Sequence, residues 1–291
     1  QSMYEIDQYY RVNVQGTALL FDLLATRAYG TPNIVLASSR SVYGEGAYLC
    51  RSCDAAGRRS FPAPRTPVQL AAHQWEPACP SCGSPLVAVA TREEDRLAPA
   101  SIYAATKLAQ EELVTVACTA LGIPYSILRF QNVFGEGQSL SNPYTGLLSI
   151  FSTRIRLGLS LPIFEDGQET RDFVHVEDIA RVVLACVERP NDGVTLNVGL
   201  GEPTPIMEVA RMLCSVMDSP IEPHITAQYR VGDIRHNFAD ISRLAEVTGF
   251  RPQIDLRTGL KRFCDWVVTQ PVPPDLLDRA NEELKARNLM G

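Results

Sequence analysis

Tyr103 and Lys107 have the residue types and the spacing of a proton-transfer centre. They lie four residues apart in Ser101-Ile-Tyr-Ala-Ala-Thr-Lys107, so on a helix they share one face. An ammonium group beside a phenol stabilises the phenolate and lowers the pKa of the phenol. A tyrosine held in this way can exchange a proton with an alcohol near neutral pH. Because solvated helices also carry such pairs by chance, the elements that position the pair decide its meaning.

A strand that ends in hydroxyl residues precedes the pair. Residues 33–44 read Asn-Ile-Val-Leu-Ala-Ser-Ser-Arg-Ser-Val-Tyr-Gly, an apolar run followed by small polar residues and a glycine turn. In a parallel α/β sheet, ligands bind outside the carboxyl ends of the strands. We therefore expect Ser39 to polarise a substrate oxygen while Tyr103 moves its proton.

These motifs carry a family resemblance. Ser39-x-x-Val42-Tyr43-Gly44 followed by Tyr103-x-x-x-Lys107 resembles the extended short-chain dehydrogenase/reductase family, the nucleotide-sugar epimerases and dehydratases. Further segments continue the resemblance in the family's order: Leu128-Arg-Phe-Gln-Asn132-Val-Phe-Gly135, Arg171-Asp-Phe-Val-His175-Val-Glu-Asp178, Asn197-Val-Gly199 and Arg230-Val-Gly-Asp233. Several motifs in one order are more specific than any one of them.

Two cysteine pairs mark an insertion between Ser39 and Tyr103, where 63 residues intervene. Cys50-Arg-Ser-Cys53 and Cys79-Pro-Ser-Cys82 are separated by 25 residues. This spacing allows four thiolates to form a tetrahedral zinc shell, which leaves no position open for water or substrate and predicts a structural metal. Two disulfides are the alternative, but a reducing cytoplasm disfavours them.

The resemblance implies an α/β fold with a Rossmann-like parallel sheet. Residues 1–47 and 91–142 would form part of the NAD-binding domain, together with strands and a helix near 165–200. A zinc-ribbon insertion would occupy 48–90, and a smaller substrate-binding domain with the C-terminal helices would occupy 143–164 and 201–291.

The resemblance also implies roles for individual residues. Contacts to the NAD cofactor are expected from Asn13, Ser39, Tyr103, Lys107 and Gln131. Contacts to a nucleotide-sugar substrate are expected from Asn132, Asn142, Arg171, Arg230 and Asp233. The two arginines would neutralise the substrate diphosphate through charge-assisted hydrogen bonds. His175 is expected to position the start of a helix.

The glycine-rich turn of a dinucleotide-binding fold does not occur in the sequence. That turn, Gly-x-x-Gly-x-x-Gly or a close variant, lets the backbone approach the cofactor pyrophosphate. The first apolar pattern, Val12, Leu19, Leu20, Leu23 and Leu24, predicts a helix that the resemblance equates with the family's fourth. The strands that bind the adenosine half would thus be missing. We expect either a piece of a longer enzyme or a truncated, inactive protein.

The composition of the chain restricts the kinds of molecule that it is expected to bind. A formal net charge of -6, with 45% hydrophobic and 21% charged residues, argues against a nucleic-acid or membrane-surface partner, which needs a concentrated basic face. No apolar stretch has the length of a membrane span, and the first residues do not resemble a signal peptide. We expect a cytoplasmic protein with a small-molecule substrate.

The residues after Ser39 bear on the reaction. Family members that eliminate water carry an acidic pair there, whereas this chain has Arg40 and Ser41, which weakens the 4,6-dehydratase interpretation. Epimerisation needs only the Tyr, Lys and Ser set. The cysteine-bearing insertion and the segment Asn132–Gly146 resemble bacterial dTDP-L-rhamnose 4-epimerases, which implies interconversion of dTDP-L-rhamnose and dTDP-6-deoxy-L-talose for surface polysaccharide. A nucleotide-sugar reductase and a catalytically inactive zinc-ribbon module are the alternatives. Relatives also suggest a homodimer formed through the helix that bears Tyr103.

Overall fold

The structure is a computed structural model that describes residues 1–26, 30, 33–53, 57–141 and 146–291. Within these ranges the helices are α1 Ile6–Tyr9, α2 Gly16–Thr26, α3 Pro67–Ala71, α4 Ile102–Leu121, α5 Leu147–Arg156, α6 Val176–Glu188, α7 Ile206–Val216, α8 Ser242–Thr248, α9 Leu256–Val267 and α10 Leu277–Ala286. The strands are β1 Ile34–Ser39, β2 Ala47–Leu49, β3 Arg59–Ser60, β4 Val87–Val89, β5 Tyr125–Phe130, β6 Asn132–Phe134, β7 Pro162–Ile163, β8 Thr170–Arg171, β9 Phe173–His175, β10 Asp192–Val198, β11 Thr204–Pro205, β12 His224–Ile225 and β13 His236–Asn237. A π-helical segment, Tyr10–Gln15, joins α1 to α2, and a 3-10 turn covers Arg40–Tyr43.

A parallel sheet in the order β1-β5-β10 lies at the centre of the first core. Leu36 of β1 lies opposite Ile127 of β5, and Leu196 of β10 lies opposite Leu128. Helices α2 and α4 cover one face, and α6 and α8 cover the other. Because both faces are covered, the strands are rich in apolar residues rather than alternating with polar ones. The predicted α/β fold with a Rossmann-like parallel sheet is confirmed.

Helix α4 has a capped beginning and a glycine end. The Ser101 hydroxyl accepts a hydrogen bond from the Ala104 backbone N–H at 3.2 Å, which satisfies a donor that the first turn leaves free. Gly122 ends the helix in the left-handed conformation, with φ of 66°, which glycine adopts without a steric penalty. Neither α4 nor any other helix in the described ranges is long and apolar enough to cross a membrane.

A second core lies between α5, α7 and α9. On α9, Leu256, Leu260, Phe263 and Val267 are buried, and their spacing of three to four residues gives the helix one apolar face. Short strands frame this core, with β8 paired between β11 and β13, and β7 paired with β12.

The cysteine-bearing insertion forms an antiparallel sheet in the order β3-β2-β4. The short helix α3 lies between β3 and β4 in the sequence. The buried cluster of the insertion consists of only Tyr48, Cys50, Cys79 and Leu86 among the described residues. Backbone hydrogen bonds from Thr91 to Phe238 and from Asp240 to Thr91, both 2.8 Å, connect its end to the body. So small an apolar core supplies little stability by itself.

Candidate active site

Helix α4 places Tyr103 in its first turn and Lys107 one turn later, beside the carboxyl end of β1. The Lys107 ammonium donates a hydrogen bond to the Ala37 carbonyl at 3.0 Å and lies 5.9 Å from the centre of the Tyr103 ring. Burial lowers the pKa of Lys107. The structure thus brings the predicted pair to the end of the strand that carries Ser39.

Ser39 ends β1 and begins the 3-10 turn. Its hydroxyl oxygen accepts hydrogen bonds from the Ser41 backbone N–H at 3.2 Å and from the Ser41 hydroxyl at 3.0 Å. The turn closes at Gly44, whose φ is 64° and where an added Cβ would lie 2.3 Å from the Ala98 carbonyl oxygen. Glycine is therefore required at this point of the Ser39–Gly44 motif, since any other residue would displace the backbone that leads into α4.

A buried ion pair holds Tyr43, the last residue of this 3-10 turn. The Arg129 guanidinium lies 2.7 Å from the Glu111 carboxylate and donates to the Tyr43 hydroxyl at 2.7 Å. The Tyr43 hydroxyl in turn donates to Asn197 at 2.7 Å, and Ser38 donates to Glu111. Burial raises the pKa of Tyr43, so that its phenol stays neutral and able to donate. Sequence reasoning missed this group, although a charged residue within the apolar run of β5 was a usable signal.

Asn13 and Gln131, the remaining predicted cofactor contacts, lie near this site in different settings. Asn13, in the π-helical segment, donates to the Thr106 hydroxyl at 2.9 Å, and that hydroxyl donates to the Tyr103 carbonyl at 2.8 Å. Gln131 follows β5 and is only 5% exposed, yet neither atom of its amide has a hydrogen-bond partner among the described residues. A buried amide in this condition is able to bond to a molecule from outside the chain, either an ordered water or a ligand.

A cavity of about 180 Å³ is lined by residues of β6, β7, β8 and α5, among others, and Ser39, Tyr103 and Lys107 are not among its lining residues. Four of the predicted substrate contacts line it: Asn132, Arg171, Arg230 and Asp233. Its apolar wall includes Ile150, Phe151, Ile163, Phe164 and Leu277. Asn142, the fifth predicted contact, lies outside the described residues. An apolar cavity with a few convergent charged groups is typical of a small-molecule site.

Hydrogen bonds hold the guanidinium groups of Arg171, which lines the cavity, and of Arg40 in place. Arg171 donates to the backbone carbonyls of Ile234 at 2.7 Å and Arg235 at 3.0 Å. Arg40 donates to the Asn132 side-chain oxygen at 2.9 Å, and burial, with a smaller effect from Arg171, lowers the pKa of Arg40. The resemblance places an acidic residue at this position in family members that eliminate water. In this chain the residue is Arg40, and its guanidinium holds the Asn132 side chain.

Arg230 and Phe164 form a flat surface at the cavity edge. The guanidinium carbon of Arg230 lies 4.9 Å from the centre of the Phe164 ring, within the range of a cation–π contact. Its terminal nitrogen donates to the Asn281 side chain at 3.2 Å, while its buried Nε has no partner among the described residues.

Glu165 and Glu169 line part of the cavity, and this part is called the acidic wall. Burial raises the pKa of Glu169 to about 7, and one of its carboxyl oxygens has no hydrogen-bond partner in the described structure. Glu165, with φ of 49°, accepts from Arg65 at 2.7 Å and from Arg235 at 3.0 Å. Arg65 and Arg235 were not predicted, because ion pairs between residues so far apart leave no local pattern in a sequence.

Asp172 differs from the cavity acids because it has a structural role. Its carboxylate accepts hydrogen bonds from the backbone N–H groups of Leu200, Gly201 and Ala239 at 2.7 to 3.1 Å. A Cβ added at Gly199 would lie 2.4 Å from this carboxylate, which explains the glycine after β10. His175 likewise has the predicted position, since its side chain accepts from the Glu177 backbone N–H at 3.2 Å at the beginning of α6.

The four predicted metal ligands lie together. All four sulfur atoms of Cys50, Cys53, Cys79 and Cys82 are within 4.8 Å of one another, and the shorter separations are 3.4 to 3.6 Å. Tetrahedral zinc with bonds of about 2.3 Å requires sulfur atoms roughly 3.8 Å apart. Hydrogen bonds from the Ser84 hydroxyl and backbone N–H lower the pKa of Cys82 to about 6, whereas hydrogen bonds with the other three sulfur atoms raise the pKa of Cys53. The metal-free cluster therefore keeps a proton on Cys53, which a bound metal would displace. This donor set fits one zinc ion.

Comparison with known proteins adds a family to this geometry. Residues 1–199 match the NAD dependent epimerase/dehydratase family. The chain is 38% identical over 282 residues to a dTDP-L-rhamnose 4-epimerase from Burkholderia thailandensis, across 97% of this chain and 73% of that protein. The chain belongs to the NAD dependent epimerase/dehydratase family.

Other members of this epimerase/dehydratase family are also similar. A putative UDP-glucose 4-epimerase from Methanocaldococcus jannaschii is 31% identical over 257 residues, which cover 88% of this chain and 69% of that protein. The solved structure of a UDP-N-acetylglucosamine 4-epimerase from Methanobrevibacter ruminantium superposes with a TM-score of 0.72 at 26% identity, covering 93% of this chain and 73% of that one. The family predicted from the ordered motifs is confirmed, as is the similarity to a bacterial dTDP-L-rhamnose 4-epimerase.

Proposed function

We propose that this chain carries the catalytic and substrate-binding parts of an NAD-dependent nucleotide-sugar 4-epimerase. The observation that carries the proposal is the composition of the site at the end of β1. Tyr103, Lys107 and Ser39 are present, while Arg40 takes the place of an acid and hydrogen-bonds to Asn132. Elimination of water needs a carboxyl group beside the sugar, whereas inversion at C4 does not.

The residues of α4 and β1 would divide the proton chemistry among them. Tyr103 takes the proton of the sugar C4 hydroxyl and later returns it, and Ser39 donates a hydrogen bond to the same oxygen. Lys107 lies beside this phenol, with its ammonium 5.9 Å from the centre of the Tyr103 ring. Arg171 and Arg230 bind the diphosphate, and the flat surface of Phe164 and Arg230 accepts a planar nucleobase.

Three residues fit a nicotinamide cofactor. The partnerless amide of Gln131 offers both a donor and an acceptor, Lys107 has an ammonium group for a ribose hydroxyl, and Asn13 lies one hydrogen bond from the helix that bears Tyr103. NAD, when bound, supplies the reversible acceptor for the substrate hydride. Because the hydride returns to the sugar, the cofactor undergoes no net change.

The proposed substrates are dTDP-L-rhamnose and dTDP-6-deoxy-L-talose, as the name of the Burkholderia thailandensis relative suggests. We further propose one structural zinc ion on Cys50, Cys53, Cys79 and Cys82. A homodimer through α4 is also proposed, supported by Val116 at 70% exposure on this helix.

Purified enzyme tests the reaction. We expect dTDP-L-rhamnose to convert to the talose epimer, as followed by NMR, without net formation of NADH at 340 nm. Sustained stoichiometric NADH release would instead support the reductase alternative and contradict the epimerase proposal. Conversion of a UDP-sugar, with none of the dTDP-sugar, would reject the proposed nucleotide while keeping the reaction.

A further inference from the structure

The insertion reaches beyond its own sheet to the wall of the substrate cavity. Arg65, which is 4% exposed, donates to the Glu165 carboxylate at 2.7 Å and to the Asp233 carbonyl at 2.9 Å. Both of these residues line the cavity. Arg65 also donates to the Trp75 carbonyl at 3.2 Å, so one side chain connects the interior of the insertion to two parts of the cavity wall.

Glu76 makes a second connection. Its carboxylate accepts a hydrogen bond from Nε of Arg235 at 2.8 Å and lies 3.1 Å from Nε2 of His236. Nδ1 of His236 accepts from the Thr170 backbone N–H at 3.2 Å, so Nε2 carries the proton that is donated to Glu76. The insertion therefore holds β13, whose neighbour β8 ends in Arg171.

Carboxyl groups outnumber guanidinium groups at this junction, and one of the guanidinium groups comes from the insertion. Those of Arg65 and Arg235 contact five carboxyl groups: Glu45, Glu76, Glu165, Asp166 and Glu169. Loss of Arg65 would leave Glu45 with no guanidinium contact among the described residues and Glu165 with only that of Arg235, and both of these carboxyl groups are buried. The surplus negative charge would then face the cavity that is proposed to hold a diphosphate, and repulsion would oppose binding.

We propose that Arg65 is a positioning residue for the nucleotide-sugar cavity, and that through Arg65 and Glu76 the cysteine-bearing insertion sets the shape and charge of the acidic wall. The inference rests on the function proposed above. Arg65 itself does not line the cavity, and its hydrogen bonds lead to Trp75, Glu165 and Asp233 rather than to Tyr103. Its effect should therefore fall on substrate affinity and leave the chemical step intact.

Arg59 provides a matched control in the same insertion. It donates to Asp95 at 2.7 Å and to the Ala90 carbonyl at 2.6 Å, so it also connects the insertion to the body through an ion pair. Neither of its partners lines the substrate cavity. An Arg59→Met change thus removes one contact between the insertion and the body that lies away from the acidic wall, whereas Arg65→Met acts on that wall.

The experiment uses the full chain, loaded with zinc, and two measurements. Hydrogen–deuterium exchange reports the protection of residues 161–171 and 228–237, and calorimetry reports dTDP binding. In Arg65→Met we expect faster exchange in both segments and a Kd at least about tenfold higher, with zinc content unchanged. Arg65→Lys should recover part of the affinity, because it keeps the charge but cannot make all three hydrogen bonds.

A turnover assay separates positioning from catalysis. For Arg65→Met we expect KM to rise while kcat is retained, since the atoms that react at Tyr103 are untouched. Arg59→Met should leave Kd and exchange in the two segments unchanged within about twofold. Removal of zinc by a chelator should reproduce the Arg65→Met exchange pattern.

The outcomes distinguish the two proposals. If wild-type protein binds no nucleoside diphosphate, yet exchange in the two segments still depends on Arg65 and not on Arg59, the proposed substrate fails and the positioning role stands. If Arg65→Met changes neither exchange nor affinity, or if Arg59→Met changes both equally, the positioning role is overturned. A fall in kcat at unchanged KM would also overturn it.

Discussion

At the scale of single residues, the proposed proton transfer depends on one phenol. Tyr103 sits in the first turn of α4, where Lys107 and the end of β1 meet. The ring of Tyr9 packs edge-on at 6.3 Å between ring centres, so the loss of one hydroxyl at Tyr103 leaves this packing in place. The chemical and structural roles of the residue can therefore be separated by a conservative change.

Tyr103→Phe should lower turnover by roughly 10²- to 10⁴-fold, because it removes the group that transfers the proton. The fold and the zinc content should not change, as checked by circular dichroism and metal analysis alongside steady-state kinetics. Tyr9→Phe, which removes a neighbouring phenol, is the control and should retain turnover. Wild-type turnover in Tyr103→Phe would remove this residue from the mechanism.

Glu169 gives a pH dependence at the same scale. Burial raises its pKa to about 7 in the folded protein, whereas in the unfolded chain an ordinary glutamate titrates near 4.3. The folded state therefore binds more protons between these values, so the stability that the protonated form contributes is present below pH 4.3 and is lost as the pH rises through about 7.

Glu169→Gln should become progressively more stable than wild type between pH 5 and pH 8, by at most about 3 kcal/mol. Urea unfolding at several pH values measures the difference. Glu112→Gln, on the exposed face of α4, serves as the control and should follow wild type. A difference that does not vary with pH would show that Glu169 titrates normally.

At the scale of elements, the insertion has a small buried cluster, so apolar packing contributes little to its stability. Two of the four residues in its buried cluster are Cys50 and Cys79, so the proposed metal ligands are also its core. Structural zinc in such a unit supplies folding free energy directly.

Cys79→Ser should reduce zinc from one ion per chain and lower the melting temperature of the insertion. Metal analysis and differential scanning calorimetry measure the two effects. Ser81→Ala changes a side chain within the same Cys79–Cys82 turn without removing a thiol, and it should keep both the metal and the melting temperature. A Cys79→Ser protein that is fully folded without metal would contradict the structural role.

At the scale of the whole molecule, periodic and ordered features were predictable and ion-pair networks were not. The apolar run of β1 predicted a buried strand, and the family resemblance of Leu128–Gly135 predicted the strand that is β5. Four of the five substrate contacts expected from the family's motif order line one cavity. Their individual roles stay predictions.

The contacts between the insertion and the body could not be read from the sequence. Arg65 lies in a segment rich in arginine and proline that shows no apolar period, and Arg235 and His236 had no assigned role. Each depends on partners that the fold brings from elsewhere. The same reasoning explains Arg129, whose partner Glu111 is on a different element. Local patterns predict elements, whereas tertiary charge pairs require the assembled structure.

The ion pairs between the insertion and the body join residues that the ribosome synthesises far apart in time. Glu165 follows Arg65 by 100 residues, and Arg235 follows Glu76 by 159. At about 5 to 20 residues per second a ribosome needs about 5 to 30 s to synthesise each interval. During that time the insertion, if it has taken up zinc, presents an arginine and a glutamate whose partners in the body have not yet been synthesised. Translation rate and metal supply would then jointly determine how much of the nascent chain reaches the native pairing.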